Sequence, residues 1–194
     1  LPDCNIQAEE SGEVDNQCSR TLVIDPLDGT NNFALGLPYF SVGIALAEGR
    51  DTVFSAVYEP LLDIMYYAKQ GAGAFRNGQS LQVSAADDLQ DLTLAYTSGY
   101  SNVKLLRTGL EHELYRRNIK RFLDNWCPTL DYCLLAEGRI DAVIANDDDS
   151  GESSIGTLFI KEAGGYVLDF DGNKSCEAGA PRFIAAGTQE TAEK

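Results

Sequence analysis

One histidine, one tryptophan and one methionine occur in 194 residues, and 15 basic residues stand against 30 acidic ones. A single histidine excludes any multi-histidine metal site. His112 lies in the charge-dense stretch RTGLEHELYRR (107–117), where a solvated helix position is the plain reading. A Ser-His-Asp relay would have only this base to draw on. The five cysteines (Cys4, Cys18, Cys127, Cys133, Cys176) form no CxxC pair and no zinc-type spacing. Odd in number and scattered, they read as reduced thiols of a cytoplasmic protein. No apolar run approaches ~18 residues, and no basic-then-apolar leader is present. The formal charge of −15 repels nucleic acid and anionic membrane, so neither is expected as a partner. An anionic substrate would need the local field reversed, and a bound divalent cation is one means of doing so.

What is present divides in two. The first part reads as strands: TLVID, FSVGIALAEG, DTVFSAVYEP, IMYYAKQ and SLQVS are short, β-branched or aromatic, and punctuated by Gly, Pro or Asp. EGRD and RNGQ read as hairpin turns, so these strands form an antiparallel meander. After Ala85 strands alternate with helices: LTLAYT, a helix over Lys104 to Arg117, IKRFLD, the helix TLDYCLLAEG stopped at Gly138, IDAVIAN, the helix SSIGTLFIKEAGG stopped at Gly164-Gly165, then YVLDF and RFIAAG. The expected fold class is α+β, a layered α/β sandwich with a first, antiparallel sheet and a second, mixed one. Residues 1–88 form a metal-loop and antiparallel-sheet subdomain, and residues 89–194 an α/β subdomain that completes the site. The strand-rich part contains no long amphipathic helix to cover its sheet. The cover is expected from further chain or from a second copy.

The stretch LVIDPLDGTNNF (22–33) carries the strongest chemical signal. Leu22-Val23-Ile24 reads as a buried strand that ends at Asp25, where a loop emerges, and Pro26 stiffens the turn to Asp28. Carboxylates so placed repel one another unless a cation lies between them. Oxygen-only ligands suit Mg²⁺ or Mn²⁺, and the Leu27 carbonyl can point inward as another oxygen. Gly29 allows close backbone approach, and Thr30-Asn31-Asn32 can open a short helix whose N–H groups face a phosphate. An acidic turn with a helix cap would carry the same letters, so this stretch alone leaves both readings open. Glu9 and Glu10 lie upstream, before the polar run GEVDNQ, which reads as a mobile loop. Asp147, Asp148, Asp149 and Glu152 lie downstream, before a helix. Three acidic sites at element ends are the usual makeup of an oxygen-ligated multi-metal centre.

With these residues in view, the chain resembles the inositol monophosphatase family, lithium-sensitive and magnesium-dependent phosphomonoesterases. EES followed by a strand and DPLDGTNNF matches the first signature, GESSIGTLFIKEAGG the second in part, and GAGAFRNG and LLAEGRIDAVI match family patterns between them. The resemblance spans nearly the whole chain and implies an αβαβα sandwich, two or three Mg²⁺ ions with Mn²⁺ as a substitute, inhibition by Li⁺, and a homodimer. It implies that Glu9, Asp25, the Leu27 carbonyl and Asp28 bind the metals. Gly29 and Thr30 would present N–H groups to the phosphate, and the Thr30 hydroxyl would orient the attacking water. Glu10 and Asn32 would support the loop.

Two departures from the family pattern stand out. The second signature normally begins Trp-Asp, where this chain has Gly151-Glu152. The added methylene carries the oxygen ~1.5 Å further, one bond length. Glu152 would bind the second metal and the substrate side. In place of a small Gly-Ser/Thr-Ala-Ala run the chain has WCPTLDYC, in which Trp126 and Pro128 would reshape the alcohol pocket and Asp131 would replace a polar contact; a core role for Trp126 stays open. Ser98 and Ser101 fall where the family offers a hydroxyl to the substrate, or serve a turn. The expected reaction is hydrolysis of a small polyol or sugar phosphate resembling inositol 1-phosphate. Alternatives are a sugar bisphosphate, a 3′-phosphonucleotide, or a catalytically weakened metal-binding scaffold. A calcium module is disfavoured, because no DxDxDG loop with a bidentate Glu occurs.

Overall fold

Period-two patterning builds the first part of the chain into one eight-stranded sheet. The computed structural model describes residues 4–9, 12–99, 104–146, 151–173 and 180–194. The strands are β1 (Asn5–Ala8), β2 (Gly12–Val14), β3 (Arg20–Asp28), β4 (Ser41–Glu48), β5 (Asp51–Glu59), β6 (Ile64–Lys69), β7 (Gly73–Arg76) and β8 (Gln79–Ser80), in the order β2-β1-β3-β4-β5-β6-β7-β8. The helix α1 (Thr30–Leu35) interrupts the run between β3 and β4. From β3 to β8 every pair is antiparallel, as the meander requires; β1 departs by running parallel to β3. In the RNGQ turn Arg76 faces Gln79 across Asn77 and Gly78, whose φ values of 47° and 82° are those of a type I′ hairpin.

Three expectations need correction here. GEVDNQ is not a free loop: Gly12–Val14 pairs antiparallel with β1. The hairpin is clamped by side-chain amides, Asn16 Nδ2 donating to the Cys4 carbonyl at 2.7 Å and Asn5 Nδ2 to that of Cys18 at 2.9 Å. SLQVS is strand only at its first residue. Beyond it the Val83 N–H donates to the Ala163 carbonyl, not to a neighbouring strand. Asp25 does not end its strand, because β3 runs on to Asp28. A last helix, α5 (Gln189–Glu193), capped by the Thr188 hydroxyl, follows where no element was expected.

The second sheet has the order β10-β9-β11-β13-β12, from β9 (Thr93–Ser98), β10 (Arg121–Leu123), β11 (Ala142–Asn146), β12 (Tyr166–Leu168) and β13 (Arg182–Ala186). It is mixed: β9 runs parallel to β10 and β11, and β13 antiparallel to β11 and β12. Helices α3 (Pro128–Ala136) and α4 (Glu152–Glu162) lie between the sheets, because both have apolar residues on two faces. Leu130, Cys133, Ile155 and Phe159 pack on Val23, Ala45 and Val57 of the first sheet. Tyr132, Leu135 and Ile160 pack on Val143, Phe183 and Ala185 of the second. Helix α2 (Lys104–Arg116) brings Leu110 and Leu114, and α5 brings Ala192, to the far face of the second sheet, with His112 exposed. Four layers of the α/β sandwich are thereby in place. The outer face of the first sheet carries Leu22, Ile24, Ile44, Leu46 and Phe54, only partly buried, with Val42 and Met65 exposed.

The two central helices approach each other unusually closely. A Cβ on Gly156 of α4 would lie 1.8 Å from Cδ2 of Tyr132, which is fully buried on α3. A helix-interior glycine ordinarily costs about 0.5–1 kcal/mol relative to alanine; here only glycine fits. Gly156→Ala is therefore expected to destabilise by about 3 kcal/mol through overpacking, lowering Tm by roughly 6–12 °C. Thermal melts of wild type and variant measure this, and a Tm unchanged within about 2 °C would show that the helices can part without cost.

Candidate metal centre

Residues 25 and 28 are an odd number of positions apart, so a regular strand would turn their side chains to opposite faces. Both are buried, at 1% and 3% exposure. The reason is a bulge. Asp25 pairs with Gly43 and Asp28 with Ser41, so three steps along β3 match two along β4. The added residue restores the phase and brings both carboxylates to the inner face. Pro26, which lacks an N–H, sits exposed within the bulge, where no ladder bond is demanded of it.

Two further acidic residues converge on this point. The Glu9 N–H donates to the Ile24 carbonyl at 3.2 Å, which ties the turn after β1 to the position before Asp25. Glu152 is the first residue of α4, and one carboxylate oxygen each from Asp25, Asp28 and Glu152 lie within 4.8 Å of one another. Gly151 before it has φ 84°, and a Cβ there would press within 3.3 Å of Val23 Cγ1, so the helix start sits directly against β3.

The electrostatics suit a cation. Burial, then the charges of Asp28 and Glu9, push the Asp25 carboxyl up to about 8. Asp28 is pushed up to about 6 by burial, against hydrogen bonds from Thr129 and Cys127 that favour its charged form. Asp25 Oδ1 accepts the Leu27 N–H at 3.0 Å, whereas Oδ2 is buried with no hydrogen-bond partner among the described residues. A buried oxygen without such a partner, on a carboxylate grouped with two others, fits a hard, oxygen-seeking divalent ion.

A consequence for stability follows. Folded-state carboxyl pKa values of about 8 and about 6, against 3.8 ordinarily, mean that the native protein holds these protons more tightly than the unfolded chain does. Their contribution is fully present below about pH 4 and is lost as pH rises through the folded values. A divalent cation, which binds the ionised form, should offset that loss. The gain in Tm from Mg²⁺ over chelator is expected to grow between pH 5.5 and pH 8, in the range set by those two values. Melts with and without Mg²⁺ across that range test this; a gain independent of pH would contradict it.

The other expected residues lie as follows. Gly29, at φ 84°, is packed so closely that a Cβ would sit 2.9 Å from the Tyr39 carbonyl; it begins α1, whose first N–H groups have no partner in the preceding turn. The Thr30 hydroxyl donates to the Leu27 carbonyl at 2.9 Å, leaving that carbonyl a second lone pair. Asn32 is buried and donates to the Tyr39 and Asn125 carbonyls, both at 2.8 Å. Ser98 ends β9 opposite Asn146. Asp131 is 1% exposed; its Oδ1 accepts from Tyr39 Oη at 2.9 Å and Asn125 Nδ2 at 2.7 Å, and burial pushes it up to about 7. Its side chain is thus buried in contacts with Tyr39 and Asn125. Trp126 is not core: it is 52% exposed at φ 57°, beside Leu35, Leu37 and Pro38. Glu10, Ser101, Asp147, Asp148, Asp149 and Cys176 lie outside the described residues. The four other cysteines are unpaired thiols. No helix among the described residues is long and apolar enough to cross a membrane.

Sequence reasoning missed the groups that hold Asp28: Cys127, Thr129 and, behind them, Ser41. The available signal was small polar residues beside Pro128, a first-turn proline that marks a helix start with free N–H groups.

Known proteins resemble this chain along its length. The model of the inositol monophosphatase family matches residues 1–194. A Thermotoga maritima protein named fructose-1,6-bisphosphatase/inositol-1-monophosphatase is 33% identical over 184 residues, covering 95% of this chain and 69% of its own length. A Pasteurella multocida protein named Nus factor SuhB is 34% identical over 193 residues, covering 94% and 72%. Among solved structures, the extragenic suppressor protein suhB of Bartonella henselae superposes with a TM-score of 0.90 at 27% identity, covering 99% of this chain and 75% of that one.

Proposed function

The chain belongs to the inositol monophosphatase family and is a phosphoric monoester hydrolase, and from that premise we propose that it hydrolyses the phosphate ester of a small polyol or sugar in an Mg²⁺-dependent reaction. The observation that carries this is the convergence of Asp25, Asp28 and Glu152 beside the start of α1. In this reading residues 1–88 supply Glu9, Asp25, the Leu27 carbonyl and Asp28, and residues 89–194 complete the ligand set with Glu152. A cation held by these residues would supply Lewis acidity, neutralising phosphate charge and making water nucleophilic at neutral pH.

The remaining steps belong to the chain's own groups. The Gly29 and Thr30 N–H groups bind phosphate oxygens and stabilise the charge that develops on them. The Thr30 hydroxyl spends its proton on the Leu27 carbonyl, so its oxygen accepts from the attacking water and fixes that water's orientation. Glu9, exposed at the rim, takes up the water proton. The bond from phosphorus to the ester oxygen breaks as the bond to the water oxygen forms, and the alcohol leaves with a proton drawn from solvent. No phosphoenzyme is required. Ser98 and the loop held by Asp131 bound the alcohol side, and a sugar bisphosphate is the next candidate substrate, consistent with the name of the Thermotoga relative. Li⁺ inhibits, and two copies associate.

Phosphate release from inositol 1-phosphate, fructose 1,6-bisphosphate, a 3′-phosphonucleotide and p-nitrophenyl phosphate, with Mg²⁺, with chelator and with Li⁺, tests the proposal. Mg²⁺-dependent release from a polyol or sugar ester supports it. Mg²⁺ binding with no turnover of any ester would identify a metal-binding scaffold instead.

A further inference from the structure

Asp28 is held by more donors than a cation ligand requires, and every one of them is buried. The Thr129 N–H donates to Asp28 Oδ2 at 2.8 Å, the Thr129 hydroxyl donates to the same oxygen, and Cys127 Sγ approaches it at 3.2 Å. The N–H is available because Thr129 follows Pro128 in the first turn of α3, where the backbone has no intrahelical acceptor. Cys127, at the cap position, makes no side-chain cap of its own, so Asp28 of β3 caps the helix from another element. The Thr129 oxygen also lies 2.6 Å from Ser41 Oγ. A carboxylate only accepts, so Thr129 gives its proton to Asp28 and receives that of Ser41. Ser41, Cys127 and Thr129 are each 0% exposed.

Resting on the reading of Asp25, Asp28 and Glu152 as metal ligands, we propose that Thr129, oriented by Ser41, is the positioning residue of this centre. It saturates Oδ2 of Asp28, fixes the carboxylate plane and leaves Oδ1 for the cation. WCPTLDYC thus does more than line an alcohol pocket. Its polar members set the geometry of a ligand 101 positions away. Groups that orient a metal ligand typically contribute about 10–100-fold in metal affinity.

The test is Mn²⁺ binding to the purified chain without substrate, followed by the loss of the free-ion paramagnetic resonance signal, for wild type, Thr129→Val, Thr129→Ser and Ser41→Ala. Thr129→Val keeps the shape and removes the hydroxyl, and should weaken Mn²⁺ by at least about tenfold. Thr129→Ser restores the donor and should bind within about threefold of wild type, a rescue that a purely packing role would not give. Ser41→Ala, which leaves Thr129 and Asp28 intact, should weaken Mn²⁺ by a smaller factor and serves if the valine variant does not fold. In turnover, half-saturating Mg²⁺ should rise while kcat at saturating Mg²⁺ changes little. Wild-type Mn²⁺ affinity in folded Thr129→Val or, if that variant is unfolded, in Ser41→Ala, overturns the positioning role alone. Absence of Mn²⁺ binding by wild type overturns the metal-site reading and this role together.

Discussion

Asp25→Asn is expected to cut Mg²⁺-dependent phosphate release to below about a thousandth of wild type, since a Lewis-acid centre supplies several kcal/mol of transition-state stabilisation and each ~1.4 kcal/mol is tenfold. The amide keeps the shape of the side chain, so the β3 bulge and its Leu27 contact have no reason to move. What is lost is the charge of a carboxylate that is 1% exposed, including the oxygen without a hydrogen-bond partner among the described residues. A second readout separates this from unfolding. Ionising Asp25 costs native stability because its carboxyl is pushed up to about 8. In chelator above that pH the variant should therefore melt higher than wild type, and it should lose most of the Mg²⁺-dependent gain. Wild-type turnover at saturating Mg²⁺ would sink the metal assignment.

Glu152 should behave in the opposite manner to a decayed aspartate. Its oxygen already reaches the cluster from the first residue of α4, and the backbone there is set by Gly151 against Val23. Glu152→Asp withdraws that oxygen by ~1.5 Å. A displacement near 1 Å costs about a hundredfold, so kcat/KM should fall by roughly that factor. Glu152→Gln keeps the reach and removes the charge, and should fall further. A rise in kcat/KM for Glu152→Asp would mean that the glutamate is a defect and that the chain serves as a weakened relative.

Local chemistry was legible where one residue type decides a conformation. Asn77-Gly78 announces its hairpin, and Gly164-Gly165 ends α4 with Gly164 at φ 90°. DPLDGT announced its carboxylates and the short helix after them. The polar strand β2 was invisible because all three of its residues are exposed, so no apolar alternation marks it. The parallel pairing of β1 with β3 depends on where the chain returns, which no local pattern encodes. Trp126 was open between core and surface because neither its positive φ nor its exposed surroundings have a signature in a lone tryptophan. The holders of Asp28 were hidden for a similar reason. Thr129 and Ser41 are unremarkable letters until the fold stacks them, with a carboxylate, at one helix end.

The bulge between Asp25 and Asp28 makes this centre sensitive to chain length in a way it is not to side-chain identity. Position 27 contributes backbone, so many substitutions there leave both carboxylates on the inner face. Removing one residue from the interval would erase the bulge and leave the carboxylates two positions apart, still on the inner face but without the extra backbone between them. Adding one while the single bulge is kept would instead turn Asp28 to the outer face, away from Glu152 and Thr129. Count, more than composition, acts here as a reading frame written in backbone, and a one-residue insertion is the smallest change able to silence the site without replacing any residue that forms it.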